Sequence, residues 1–296
     1  MTNGPPRIFD RPAYRARRAR AAREGGDAFL AREAADGLRE RLAAVNRRFA
    51  RGLYLGGRAE TYDVFAPFAQ SWVQAGPART RGLSTIADEE HLPFAPESFD
   101  LVVSVLALHA VNDLPGALLQ IRQVLKPDGL FLAALFGGET LNELRTALTA
   151  AEAEVTGGAG PRVAPFADVG DLGGLLQRAG FALPVADAER TRVRYRSLMT
   201  LFKDLRSLGE TNVLAERVRK PLSRRMLATL AARYAERYAD EEGRLKASFE
   251  VVSLTGWAPH ESQRKPLAPG SAKNRLADAL GTTERRAGEK ADPRKT

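Results

Sequence analysis

Two continuous apolar runs of strand length constrain this chain more than anything else in it. FDLVVSVLAL (Phe99 to Leu108) and GLFLAALF (Gly129 to Phe136) flank LPGALLQIRQVL (Leu114 to Leu125), whose apolar residues recur at helical spacing. A strand that is apolar on both faces must be covered on both faces, which a parallel sheet between helical layers provides. Lys126-Pro127-Asp128-Gly129 reads as the turn from helix to strand. The chain is therefore expected to be α/β, and charges between the runs, with their short length, exclude a transmembrane hairpin.

Upstream, Leu38, Leu42, Val45 and Phe49 are spaced to line one face of a helix within Phe29 to Phe49. The stretch GLYLGGRAE (Gly52 to Glu60) then reads as a short strand entering a glycine turn and another helix. Thr61 to Val73 reads as a broken helical segment interrupted by Pro67, and LSTIA (Leu83 to Ala87) as a short strand. Downstream, a helix is expected over Glu139 to Glu154 and another within Asp168 to Phe181. ALPVAD and RVRYR look like short sheet segments, and Leu198 to Tyr238 is helical in pattern, interrupted near Gly209 and Pro221. SFEVVSLTGW (Ser248 to Trp257) returns to strand character. The expected organisation is a basic, flexible or helical head over 1–28, one domain over 29–260 with a helical insertion at about 197–240, and a disordered basic tail over 261–296.

The net charge of +9 belongs to the ends. Residues 1–50 carry twelve Arg and Lys against six Asp and Glu, residues 261–296 nine against five, and residues 51–260 are nearly balanced. A basic head such as YRARRARAAR (Tyr14 to Arg23) suits an acidic protein or an anionic membrane surface, or is simply a solvated helix start. Aromatic residues are not interleaved with these arginines, so no specific nucleic-acid binding is expected. Cysteine is absent and only three histidines occur, His91, His109 and His260, which removes thiolate chemistry and a histidine metal cluster. No secretory pattern or membrane span is read, so a cytoplasmic location is expected, with peripheral attachment at the inner face of the membrane left open.

The glycine turn has no lysine for a phosphate loop and too few glycines for a dinucleotide site. Asp88 and Glu89, after a short apolar piece, sit where carboxylates at the rim of a parallel sheet accept hydrogen bonds from adenine or ribose; a solvated acidic loop is the alternative. His109 follows the apolar strand, with Ser104 before it. At that end of an open sheet it serves as a general base, an orienting group or a buried helix cap. No G-x-S-x-G elbow supports a serine hydrolase.

The segments Phe99 to Arg145, ADEEHLPF (Ala87 to Phe94), Pro165 to Phe181, LTGWAPH (Leu254 to His260) and FDRPAYRARRARAA (Phe9 to Ala22) together resemble a known family. They are similar to class I S-adenosylmethionine-dependent methyltransferase-like proteins that assist assembly of respiratory complex I. More distantly, they resemble the malonyl-carrier-protein methyltransferases of biotin synthesis. The resemblance implies a Rossmann-like, seven-stranded, mostly parallel sheet with its first half shortened. It implies S-adenosylmethionine as cofactor, held by Gly56, Gly57, Asp88, Glu89 and Ser104, and His109 as the catalytic residue. The implied acceptor is a protein side chain or a carboxylate-bearing small molecule, and the implied partner a complex I subunit. Two alternatives follow from the same family: an assembly protein that has lost its cofactor, and a hydroxylase of a complex I arginine.

The resemblance weakens at the glycine turn. Tyr54 stands at the family's aspartate, Arg58 and Glu60 replace its second and third glycines, and Ala110 replaces the usual tryptophan after the histidine. Only about thirty residues separate Leu55 from Ile86, and Asp63 comes too early to be the ribose-binding acid, so the second strand and its following helix are expected to be truncated or rebuilt.

Overall fold

The computed structural model describes residues 7–56, 58–79, 82–263 and 281–282. The chain divides into Met1–His260 and Glu261–Thr296. Almost all of the second unit, including the expected tail, lies outside the described residues.

The first unit is built on one seven-stranded sheet. In chain order it comprises α1 (Arg11–Glu24), α2 (Phe29–Ala44), β1 (Phe49–Leu55), the single turn α3 (Ala59–Tyr62), β2 (Ala69–Gly76), β3 (Thr85–Ile86) and β4 (Phe99–Val105). It continues with α4 (Leu114–Val124), β5 (Leu125–Phe136), α5 (Asn142–Thr156), α6 (Val169–Arg178), β6 (Ala182–Tyr195), α7 (Leu198–Ser207), α8 (Arg224–Tyr238) and β7 (Leu245–Trp257). The strand order is β3-β2-β1-β4-β5-β7-β6; β1 pairs in parallel with both β2 and β4, and only β7 runs antiparallel to its neighbours. The chain reverses its direction of travel between β1 and β4, so the carboxyl ends of these strands form the crevice where open α/β sheets take ligands.

Continuous burial over residues 101–105 of β4 and 129–136 of β5 explains their composition: one face packs on α2 and α5, the other on α4 and α6. Asp113 starts α4 by accepting a bond from the Gly116 amide at 2.8 Å, and Ser197, Ser223 and Asp168 cap α7, α8 and α6 in the same manner. Lys126 to Gly129 is not a free turn. The strand begins at Leu125, directly after α4, and Asp128 takes a left-handed φ of 60° within it. The two sheet segments expected between 182 and 196 are one long strand, β6. The expected helix to Phe49 ends at Ala44, because Phe49 opens β1 and pairs with Ala69.

The shortened region resolves unevenly. The segment read as broken helix holds instead a full second strand, β2, stabilised by pairing along six positions of β1. What has been lost is helix: α3 is one turn, and β2 reaches β3 without an intervening helix among the described residues.

Candidate functional site

Around the carboxyl ends of β1, β2 and β4 the chain turns inward on itself. Gly56 ends β1 at φ 68°, its amide donating to the Ala75 carbonyl at 2.7 Å. A Cβ there would lie 2.7 Å from the Glu89 Oε1, so the turn needs glycine for both its dihedral and its space. Gly57 lies outside the described residues.

Helix α1 supplies what fills this crevice. Asp10 caps it by accepting from the Ala13 amide at 3.0 Å, and Phe9 pins its start through the Asn112 side chain and a bridge to Leu214. Arg11, Tyr14, Arg18 and Ala21 recur three and four apart, so one face of the helix presents all four to the sheet, where all are buried. The Arg11 guanidinium donates to Asp88 at 2.5 Å, to Glu89, and to the Ala110 carbonyl at 2.8 Å. The Arg18 guanidinium donates to the Gly56 carbonyl at 2.6 Å and to Glu210 at 3.3 Å. Tyr14 lies between them, 4.5 Å from the Arg11 guanidinium, and its hydroxyl reaches the Ala107 carbonyl at 3.5 Å.

These neighbours set the titrations. Burial raises the Asp88 carboxyl, but its bonds from Arg11 and the Glu90 amide hold it below its ordinary value. Glu89, fully buried, is pushed up by burial, which the adjacent Arg11 opposes without cancelling. Although Glu89 touches a guanidinium, its Oε1 has no hydrogen-bond partner, and desolvation wins at that oxygen. Glu210 is also buried, yet His109, Arg18 and Arg58 outweigh that burial and hold it below its ordinary value. Arg58 is pushed down to about 10 by burial and by its like-charged neighbour Arg18.

The replacements in the glycine turn take different paths. Tyr54 does not enter the crevice; it points into the core against Tyr62 and Phe65, with its hydroxyl 2.5 Å from Thr61. Arg58 does enter, donating to the Ser207 carbonyl of α7 at 3.0 Å. The room left beside Gly56, bordered by Arg18, Arg58, Gly76 and Pro77, is about 70 Å³. Small-molecule sites ordinarily offer about 300 to 1,000 Å³. Asp88, Glu89 and Ser104 do not border that space; Ser104 is sealed at the end of β4 with no partner for its hydroxyl among the described residues. Where a ribose-binding acid would follow β2, the chain carries Gly76, Pro77 and Ala78, while Asp63 is exposed in the turn after α3. The residues present do not fit an adenosyl cofactor.

His109 lies elsewhere. Its Nε2 is 3.0 Å from Glu210, its ring packs against Phe136 and Phe166, and it borders a separate cavity of about 510 Å³ between the sheet end, α5, α7 and the segment leading to α8. The structure thus brings Glu89 against Gly56 and keeps Asp88 beside it through Arg11, while Ser104 and His109 stand apart. Gly56 faces the residual crevice, Asp88 and Glu89 are held by α1, Ser104 is enclosed, and His109 serves the larger cavity. Sequence reasoning missed Arg11, Tyr14, Arg18 and Glu210. The signal for the first three was their shared helical face; Glu210 gave none.

The family model described as a methyltransferase domain matches residues 42–133. The chain is 40% identical over 280 residues to human "Arginine-hydroxylase NDUFAF5, mitochondrial", covering 90% of this chain and 81% of that protein. It belongs to the methyltransferase-like family of NDUFAF5. The zebrafish (Danio rerio) NDUFAF5 is likewise 40% identical over 262 residues, covering 84% of this chain and 81% of that protein. A malonyl-[acyl-carrier protein] O-methyltransferase of Halorhodospira halophila is 37% identical over 246 residues, covering 78% and 81%. Among solved structures, the YcgJ protein of Bacillus subtilis aligns with a TM-score of 0.52 at 14% identity, over 76% of this chain and 99% of that one. A putative methyltransferase of Bacillus halodurans gives 0.51 at 17%, over 76% and 99%. These two show the fold, a Rossmann-like class I methyltransferase sheet, as the sequence led one to expect. No helix among the described residues is long and apolar enough to cross a membrane.

Proposed function

We propose that this chain is a methyltransferase-fold binding protein that serves respiratory complex I assembly without using S-adenosylmethionine as a methyl donor. One observation carries the reading: Arg18, from α1, bonds the Gly56 carbonyl at the turn where the cofactor would lie against the backbone. Arg11 engages the carboxylates expected to receive the adenine, and Arg58 borders the small space beside Gly56 while reaching Ser207. These side chains are tied to groups that follow β1, β3 and β4, to α7 and to the segment after α7, so admitting an adenosyl group requires breaking several charge-assisted bonds together. In this reading His109 is a positioning residue. It holds Glu210, and through it the chain between α7 and α8, against the end of β4. The assembly role rests on the kinship with NDUFAF5 and on the family resemblance in the sequence.

A second reading, hydroxylation of a protein arginine, takes its support from the 40% identity to relatives named as arginine hydroxylases. It needs an oxidising co-reactant and leaves one added oxygen on a target arginine.

Calorimetric titration separates the readings. S-adenosylmethionine and S-adenosylhomocysteine at millimolar concentration should give no saturable heat. A dissociation constant in the micromolar range, weakened by Asp88→Ala, would overturn the cofactor-free reading. Incubation with the arginine-bearing complex I subunit, followed by mass spectrometry, tests the second: an oxygen gained only with active protein and oxidant would establish hydroxylation.

A further inference from the structure

The 510 Å³ cavity is unlike the residual crevice in size and in lining. Its inner wall is apolar: Phe136 and Phe249 come from the sheet, Leu144 and Leu148 from α5, and Phe202 from α7, with Phe166 closing one side. Phe136, Phe249, Leu144 and Leu148 are each buried, so this wall is deep rather than superficial. The remaining part of the lining is cationic. Arg17 comes from α1, and Arg217, Arg219 and Lys220 from the segment before α8, where Arg219 and Lys220 are exposed and therefore mark the mouth.

Charge accounting shows which of these cations lack a partner. Arg217 is paired with Asp10 at 2.9 Å, and Arg162, also lining the cavity, with Glu152 at 2.5 Å. Arg17, Arg219 and Lys220 form no ion pair among the described residues, and the Arg17 Nε is buried with no hydrogen-bond partner. Burial, Arg20 and Arg217 press the Arg17 guanidinium downward against the opposing charge of Asp10, a cost that a bound anion would further relieve. Glu210 is the acid in the lining, and it is already committed to His109 and Arg18.

We infer that this cavity binds an amphiphile: an apolar acyl or alkyl chain lying on the Phe136, Phe249, Leu144 and Leu148 wall, ended by an anionic head held among Arg17, Arg219 and Lys220. The volume is in the range of sites that enclose a small molecule, and the division into a deep apolar wall and a cationic mouth matches both ends of such a ligand. A neutral apolar ligand leaves the three lining cations without an ion-pair partner among the described residues. A small anion leaves the wall wet. The inference goes beyond the assembly reading and stands without it, because it concerns a cavity that the adenosyl crevice does not share.

The test is calorimetry on the full chain with octanoate, decanoate, dodecanoate, dodecyl phosphate and dodecanol, each below its micelle concentration. Saturable one-to-one binding of the anionic ligands should tighten about tenfold for every two methylenes until the wall is covered. Preference for the phosphate would point to a phospholipid-type head, and preference for the carboxylate to a fatty acid. Replacing Arg219→Ala and Lys220→Ala together, both exposed and so harmless to folding, should weaken dodecanoate about tenfold or more and leave dodecanol unchanged. Leu148→Trp, which fills the cavity, should weaken both, with melting temperature measured alongside to verify the fold. Absence of saturable binding, no dependence on chain length, or a double variant that binds dodecanoate as tightly as the parent would each overturn the inference. None of these outcomes bears on S-adenosylmethionine binding, so the two proposals fail separately.

Discussion

Replacing Arg18 by alanine tests whether the closed crevice is held by charge. The guanidinium is buried and satisfies two groups, the Gly56 carbonyl at 2.6 Å and the Glu210 carboxylate at 3.3 Å. Removing one member of a buried charge pair costs about 3 to 5 kcal/mol when the other is left uncompensated. Glu210 retains His109 at 3.0 Å, and Arg58 is relieved of a like charge, so the lower part of that range applies, offset to about 2 to 3 kcal/mol. For a domain of this size each kcal/mol lowers the melting temperature by about 2 to 4 °C, giving a fall of roughly 5 to 10 °C. Equilibrium denaturation of Arg18→Ala beside Arg15→Ala, an exposed arginine of the same helix, measures the difference. There is also a pH signature. Glu210 is depressed in the folded chain, so its contribution is complete above the unfolded value near 4.5 and is lost as pH falls through the lower folded value. Without Arg18 the folded value moves back towards 4.5 and that contribution shrinks. A loss under about 0.5 kcal/mol, equal to that of Arg15→Ala, would refute the view that α1 is locked by its buried arginines.

Further outcomes follow from neighbouring groups. Gly56→Ala should destabilise by about 1 to 3 kcal/mol, because a left-handed dihedral is combined with a contact to Glu89; denaturant midpoints comparable to the parent would contradict the turn geometry. Glu210→Gln keeps the shape but removes the charge shared by His109 and Arg18, and should lower stability at pH 7 by about 1 to 3 kcal/mol while flattening the acid limb. An unaltered acid limb would count against the charge argument. Truncation after Gln263 should move the melting temperature by no more than about 1 °C, since the sequence beyond it has little apolar periodicity; a drop of several degrees would show packing against the core.

The centre of the sheet was legible because β4 from Leu101 and β5 from Leu130 are almost wholly apolar, and such runs have few alternatives once helices flank them. Strand β2 was not. Its AQSWVQAG mixes small, polar and aromatic residues with no alternation, and it becomes a strand because β1 offers it six paired positions, a tertiary effect that no local window contains. The head was misleading for a related reason. Arginines count as solvent-seeking in any periodicity argument, yet Arg11 and Arg18 are buried because their partners, Asp88, Glu89 and Glu210, lie 77 to 192 positions away. Charge complementarity across that distance is invisible until the chain is folded. His109 was found because strand ends in parallel sheets are predictable places, whereas its partner Glu210 sits at a break in a helical pattern, beside Gly209, where nothing local marks it as a partner.

The loss of helix after β1 and the burial of α1 are two sides of one change. The carboxylates of buried Glu89 and of part-buried Asp88 and Glu210 lie about a sheet end where the described residues offer no ribose-binding acid, and carboxylates withdrawn from water need positive partners. In a chain that holds a sulfonium cofactor some of that positive charge arrives with the ligand. Here arginines supply it from within: Arg11 faces Asp88, Glu89 and Glu90, Arg18 faces Glu210, and Arg58 faces Glu60. A ligand carrying its own positive charge would enter a crevice already neutralised, and would have to displace arginines that are bonded to backbone carbonyls as well as to carboxylates. In the cofactor-free reading proposed above, the residues that stabilise the folded chain are also those that oppose an adenosyl cofactor, and Arg58→Gly alone should not permit binding unless Arg18 is also shortened.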